Sequence, residues 1–142
     1  MRVHHLGYVG KDMEKLERRF FAEGAVAVGE VIADPIQRVH LRFARQPDSG
    51  ELWELIVPSG DVSNSPLSSR ITGGGGLDHI CYELSADDGT LEEVLSREIA
   101  RGGRMVCPPV MAVAFNRRIA FVFRRSGRLI EFVEARTAAS DL

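Results

Sequence analysis

The feature that most limits what this chain can fold into is an internal repeat of two chemically unusual strands. Val3-His4-His5-Leu6-Gly7-Tyr8-Val9 resembles Leu77-Asp78-His79-Ile80-Cys81-Tyr82-Glu83, and Glu51-Leu52-Trp53-Glu54-Leu55-Ile56-Val57 resembles Arg128-Leu129-Ile130-Glu131-Phe132-Val133-Glu134. His5 and His79 are 74 positions apart, and Glu54 and Glu131 are 77 apart. Each half therefore supplies one histidine on its opening strand and one glutamate on its closing strand, in nearly the same register. A chain that repeats residue type and register together reads as two copies of one supersecondary unit.

Local patterning fills in that unit. His5, Gly7 and Val9 alternate with His4, Leu6 and Tyr8 as in a strand, and Lys11 to Phe21 places Met13, Leu16, Phe20 and Phe21 at helical spacing. Asp12 can cap that helix and Gly24 can end it. Three strand-like stretches follow, Ala25 to Ile32, Arg38 to Ala44 and Leu52 to Val57, broken by Asp34-Pro35 and by the hairpin composition Pro47-Asp48-Ser49-Gly50. The order then recurs: a strand over Leu77 to Leu84, a helix over Asp88 to Ala100 ended by Gly102-Gly103, and strands over Arg104 to Cys107, Arg117 to Phe123 and Leu129 to Glu134, the last hairpin turning at Ser126-Gly127. The expectation is an α+β fold over residues 1–142 as a single domain. Module one spans 1–58, a Ser-, Thr- and Gly-rich linker 59–76, and module two 77–136, both modules βαβββ. The tail beyond Arg136 is expected to fray.

Composition removes whole function classes. With 142 residues, of which 44% are hydrophobic, the chain can bury about 70% of its unfolded surface, so a metal would serve chemistry rather than folding. Lys and Arg number 18 against 20 Asp and Glu, which leaves no excess charge to follow a phosphate backbone and excludes nucleic acid as a partner. Cys81 and Cys107 form no CxxC and read as buried free thiols of a reducing compartment. The start has no leader pattern and no window is apolar enough to span a bilayer, so a cytoplasmic location without a membrane partner is expected. Arg117-Arg118 and Arg124-Arg125 read as solvated strand ends, with contact to an anionic acyl carrier as the functional alternative.

Two imidazoles and two carboxylates suit a divalent ion such as Zn, Co, Ni, Fe or Mn, with positions left over for substrate or water. Taken singly, each residue has an ordinary explanation. A histidine in an apolar strand is usually a satisfied core residue, and a strand glutamate can face solvent. Yet Glu54 stands between Trp53 and Leu55, and Glu131 between Ile130 and Phe132. A carboxylate buried there needs a partner. His4 and His40 have no counterpart in the other half and read as ordinary residues.

These residues carry a resemblance that covers nearly the whole chain. Val3-His4-His5-Leu6-Gly7, Leu52-Trp53-Glu54-Leu55-Ile56-Val57-Pro58, Ser65-Pro66-Leu67, Gly75-Gly76-Leu77-Asp78-His79-Ile80-Cys81 and Gly127-Arg128-Leu129-Ile130-Glu131-Phe132-Val133-Glu134 resemble the vicinal oxygen chelate superfamily, nearest to methylmalonyl-CoA epimerases and glyoxalase I-like proteins. The resemblance implies a glyoxalase-like fold, in which paired modules form a curved, barrel-like mixed sheet around a metal, and often a homodimer. It implies His5, Glu54, His79 and Glu131 as metal ligands. Catalysis would fall to Glu131 or Glu54, with Glu131 as the base. The implied activity is a metal-dependent isomerase, epimerase or lyase that passes through an enolate or enediolate of a small acyl-CoA, carbonyl or thiohemiacetal substrate. Two departures stand out: Ile36 occupies the place of a second carboxylate base, and Val113-Ala114-Phe115-Asn116 replaces a Gly-Ala-His-Gly-like loop. The alternative is a non-catalytic binding protein for small aromatic molecules, with Phe20, Phe43, Trp53 and Phe115 lining the pocket.

Overall fold

The computed structural model describes residues 1–137. Its strands are β1 (Arg2–Val9), β2 (Val26–Asp34), β3 (Val39–Arg45), β4 (Leu52–Pro58), β5 (Gly76–Glu83), β6 (Arg104–Ala112), β7 (Arg117–Phe123) and β8 (Leu129–Val133). The helices are α1 (Met13–Ala22), the short α2 (Ser68–Thr72) and α3 (Leu91–Ala100). Among the described residues no helix is long and apolar enough to cross a membrane. The tail expected to fray lies, from residue 138 on, outside the described residues.

Internal contacts divide the described residues into a unit His5–Asp78 and a unit made of Met1–His4 with residues 79–137. In the first, β2 pairs antiparallel with β3, β3 antiparallel with β4, and β4 parallel with β1. The second repeats this pattern, with β6 on β7, β7 on β8, and β8 parallel to β5. Two βαβββ modules with mixed sheets are thus present as the repeat predicts. Their correspondence reaches the backbone: among the described residues, Arg38 and Asn116, 78 positions apart, are the two non-glycine residues at positive φ, at 58° and 49°.

Strand alternation decides which face each helix covers. On β4, Leu55 and Val57 pack with Leu16 of α1, joined by Tyr8, Met13, Phe20 and Trp53. In the second unit Val122, Ile130 and Phe132 pack with Leu91, Val94 and Leu95 of α3. Because side chains alternate, Glu54 and Glu131 project from the opposite face of their strands. Asp12 caps α1 through its side chain to the Lys15 amide, as its position suggested.

Three segments depart most from the expectation. The second helix starts at Leu91 rather than Asp88, because Gly89 at φ +87° breaks the chain and Thr90 with Glu93 forms the capping box. β6 runs on to Ala112 rather than stopping at Cys107. Its pairing shifts register twice, and the shift between Cys107 and Val110 spans Pro108 and Pro109, which an edge strand tolerates. The linker is not irregular throughout: Leu67 and Ile71 are buried and anchor α2, and Arg70 of that helix pairs with the buried Asp78 at 2.6 Å.

Gly75 shows how tightly the linker returns. A Cβ built there would stand 2.7 Å from the Val9 carbonyl oxygen, and its φ is +67°. Gly75→Ala is expected to cost about 1–3 kcal/mol of stability in urea unfolding, through both the contact and the left-handed backbone.

Candidate functional site

Each module builds one histidine–glutamate pair. On β1 the alternation turns His5 to the face away from α1, and the parallel register sets Gly7 beside Glu54. His5 Nε2 then lies 3.0 Å from Glu54 Oε2, with both side chains buried. In the second unit Cys81 stands beside Glu131, and His79 Nε2 lies 3.1 Å from Glu131 Oε2. The glutamates are 6% and 3% exposed, so neither is the solvent-facing strand residue that a bland reading allows.

An aromatic wall stands beside each pair. Phe43 on β3 is level with Glu54 and meets His5 edge-on at 5.5 Å. Phe121 on β7 is level with Glu131 and meets His79 edge-on at 5.2 Å. Sequence reasoning missed this role for both. The signal was present, since Phe43 and Phe121 are 78 positions apart, the offset that also relates β3 to β7. Burial of both carboxylates beside these rings strengthens the electrostatic interactions they make.

The donor chemistry fits a divalent ion. Two donors each about 2.1 Å from one ion, at a right angle, stand about 3.0 Å apart, close to the observed spacing in both pairs. The same spacing also suits an imidazole set against a carboxylate.

Other residues singled out from the sequence sit elsewhere. His4 is a core residue, one of the two ordinary places, surface or core, open to it: its side chain is buried, edge-on to Phe115 at 5.2 Å and 4.0 Å from Glu83. Cys81 is buried, but Cys107 is only half-buried, and its thiol donates to the Pro108 carbonyl. Burial first, and then the Glu131 carboxylate, push the Cys107 thiol above its ordinary pKa and keep it protonated. Ile36 is half-exposed in the β2–β3 turn, where the Asp34 carboxylate accepts from the Ile36 and Gln37 amides.

The arginine pairs are not simply solvated. Arg117 is 4% exposed and donates to Glu83, while Arg118 donates to Glu134 and Glu92. Glu83, 5% exposed, also receives Arg2 and Arg136. Sequence reasoning overlooked this carboxylate. Burial alone would raise its pKa, but hydrogen bonds from Arg2, Arg136 and Arg117 override burial and hold it at about 2. The aromatic residues offered for a pocket have separate surroundings within their own units. Phe20 of α1 packs with Trp53 of β4, Phe43 flanks His5, and Phe115 lies under Arg117 at 5.7 Å.

Residues 4–121 match the family model of the Glyoxalase/Bleomycin resistance protein/Dioxygenase superfamily. The chain belongs to that superfamily. No curated protein matches it by sequence. Among solved structures, a hypothetical protein from Bacillus halodurans C-125 is similar with a TM-score of 0.78 at 22% identity, over 97% of this chain and 96% of the other. A methylmalonyl-CoA epimerase from Mycobacterium tuberculosis gives a TM-score of 0.76 at 23% identity, over 96% and 89%. A variant Streptomyces coelicolor methylmalonyl-CoA epimerase in complex with 2-nitronate-propionyl-CoA gives 0.76 at 18% identity, over 96% and 99%. At these identities the likeness establishes the fold: α+β, of paired βαβββ modules, as the superfamily resemblance implies.

Proposed function

We propose that the chain is a metal-dependent isomerase, epimerase or lyase that removes a proton α to the carbonyl of a small acyl-CoA, carbonyl or thiohemiacetal substrate. The observation that carries this reading is the twin histidine–glutamate pair, buried at 3.0 and 3.1 Å on repeat-related strands. In this reading all 142 residues act as one domain, and His5, Glu54, His79 and Glu131 together hold one divalent ion. A bound ion supplies Lewis acidity, which stabilises negative charge developing on the substrate oxygen.

The remaining work falls to the chain's own groups. Glu131 accepts the α proton, and Glu54, in the matching register, balances charge on the other pair. Phe43 and Phe121 keep water from both carboxylates. Ile36 cannot titrate, so this reading uses one base where a two-base epimerase places a carboxylate on each face of the planar enolate. Support for an acyl-CoA comes from fold neighbours described in complex with methylmalonyl-CoA or 2-nitronate-propionyl-CoA. A homodimer in the cytoplasm remains part of the proposal.

Metal content tests the ligand set directly. Protein purified without chelator is expected to hold about one divalent ion per chain, and His5→Ala and His79→Ala each to lower occupancy at least about tenfold. Loss in only one variant would reduce the site to a single pair. If parent protein stays empty after reconstitution with Zn, Co, Ni, Fe and Mn, the catalytic reading fails and small-molecule binding without a metal replaces it.

A further inference from the structure

The two modules differ sharply at one place where the repeat leads one to expect a match, beside the tyrosine on the helix-facing side of the opening strand. In module two the Arg124 guanidinium lies over the Tyr82 ring, 5.8 Å from its centroid. Glu98 of α3 holds it there, accepting at 3.1 and 3.0 Å. Module two thus fills the space over its tyrosine with a cation of its own.

The repeat offsets turn Tyr82 into Tyr8, Arg124 into Gln46 and Glu98 into Phe20. Module one keeps the tyrosine but has glutamine in place of that arginine, and the Gln46 amide donates to the Glu23 carbonyl at 3.1 Å. A recess of about 590 Å³ lies there, walled by Tyr8, Phe20 and Trp53. Their ring centroids are 5.1 to 6.3 Å apart, all in edge arrangements. The rim is also inverted in charge. Arg101 and Arg128 of module two correspond to Glu23 and Glu51, both of which line the recess with Arg19 as its one cation. Hydrogen bonds from Ser49 and from the Trp53 side chain hold the Glu51 carboxyl below its ordinary pKa, so it is ionised at neutral pH.

We propose that this recess is a binding site for a small organic cation, a guanidinium or quaternary ammonium group carrying an apolar body. Aromatic faces attract such cations, the two carboxylates outweigh Arg19, and the volume falls in the range of small-ligand sites. Module two supplies the template: the tyrosine in the same repeat position lies under a guanidinium. The site lies on the opposite face of β1 and β4 from His5 and Glu54, and it is independent of the catalytic reading.

Trp53 is the only tryptophan in the chain, so the fluorescence of the full-length protein reads the recess directly. Benzyltrimethylammonium, titrated at constant ionic strength, is expected to quench it saturably, with benzyl alcohol and benzoate binding at least about fivefold more weakly. Glu51→Gln is expected to weaken the cation about fivefold. Gln46→Arg, which restores the guanidinium of module two, is expected to weaken it at least about tenfold without losing the folded state, as read by circular dichroism. Absence of saturable quenching overturns the proposal, as does equal quenching by benzyl alcohol or parent-like binding by both variants. Where Gln46→Arg fails to fold, Glu51→Gln decides alone. A ligand-free fluorescence change that tracks protein concentration and a dimer in sedimentation, both lost in Glu51→Gln, would assign the recess to a side chain of a second copy and overturn the small-ligand reading.

Discussion

Replacing Glu131 by glutamine is expected to leave the chain folded and to slow deuterium exchange at the substrate's α carbon by about 10²–10⁴-fold. Glutamine keeps the shape of the side chain and an oxygen donor beside His79, but it cannot take up a proton at neutral pH. The parent assay uses a 2-methyl acyl-CoA thioester and the thiohemiacetal of a small ketoaldehyde in deuterium oxide, and the variant is compared on whichever exchanges. Glu54→Gln is the control. It occupies the same register of the other module, 3.0 Å from His5, and under a one-base mechanism it should retain more exchange than Glu131→Gln. Parent-like exchange in Glu131→Gln would remove Glu131 from the mechanism. A loss confined to Glu54→Gln would move the base to the other module.

The second large effect concerns stability. Glu83→Gln is expected to cost about 3–5 kcal/mol at pH 7, because it leaves the buried Arg117 without its counter-charge. For a domain of this size that is a fall of about 10–15 °C in the melting midpoint. The pH dependence follows from the direction of the shift. The Glu83 carboxyl lies near 4.5 in the unfolded chain and is held at about 2 in the folded one. Its contribution is therefore complete above about pH 4.5 and is lost as pH falls toward 2. The difference corresponds to about 3 kcal/mol, so urea unfolding of parent protein between pH 5 and 2 should lose roughly that much through this one group. The Glu83→Gln variant should show a correspondingly flatter acid limb. Arg2→Ala should cost under about 1 kcal/mol, since that arginine side chain is 68% exposed and screened by water. A Glu83→Gln midpoint within a few degrees of the parent would show that the Glu134 carbonyl, which also accepts from Arg117, suffices to hold that guanidinium.

Much of the fold was legible because it rests on local, periodic information. Alternation over Val3 to Val9, helical spacing from Met13 to Phe21 and the Asp12 cap depend on residues a few positions apart, and the structure places β1, α1 and the cap accordingly. The repeat extended that reach by relating distant segments through likeness rather than contact. It brought out His5, Glu54, His79 and Glu131, and the structure sets each histidine beside its own module's glutamate. Elements with weak or interrupted periodicity were harder to read. β6 crosses two prolines with two register shifts, and α2 is held by Leu67 and Ile71 inside a segment whose composition resembles a linker.

The sequence by itself therefore determined the module plan, the strand–helix order and the four residues with the chemistry to hold a metal, since side-chain type and spacing are sufficient for those. Tertiary structure alone decided which aromatic ring stands against which histidine, that Cys107 is half-exposed, and that Glu83 collects Arg2, Arg117 and Arg136. Those three partners lie 81, 34 and 53 positions from it along the chain. Register across strands brings such groups together, and the free energy of a buried charge depends on that local assembly, which no short-range pattern in the chain encodes.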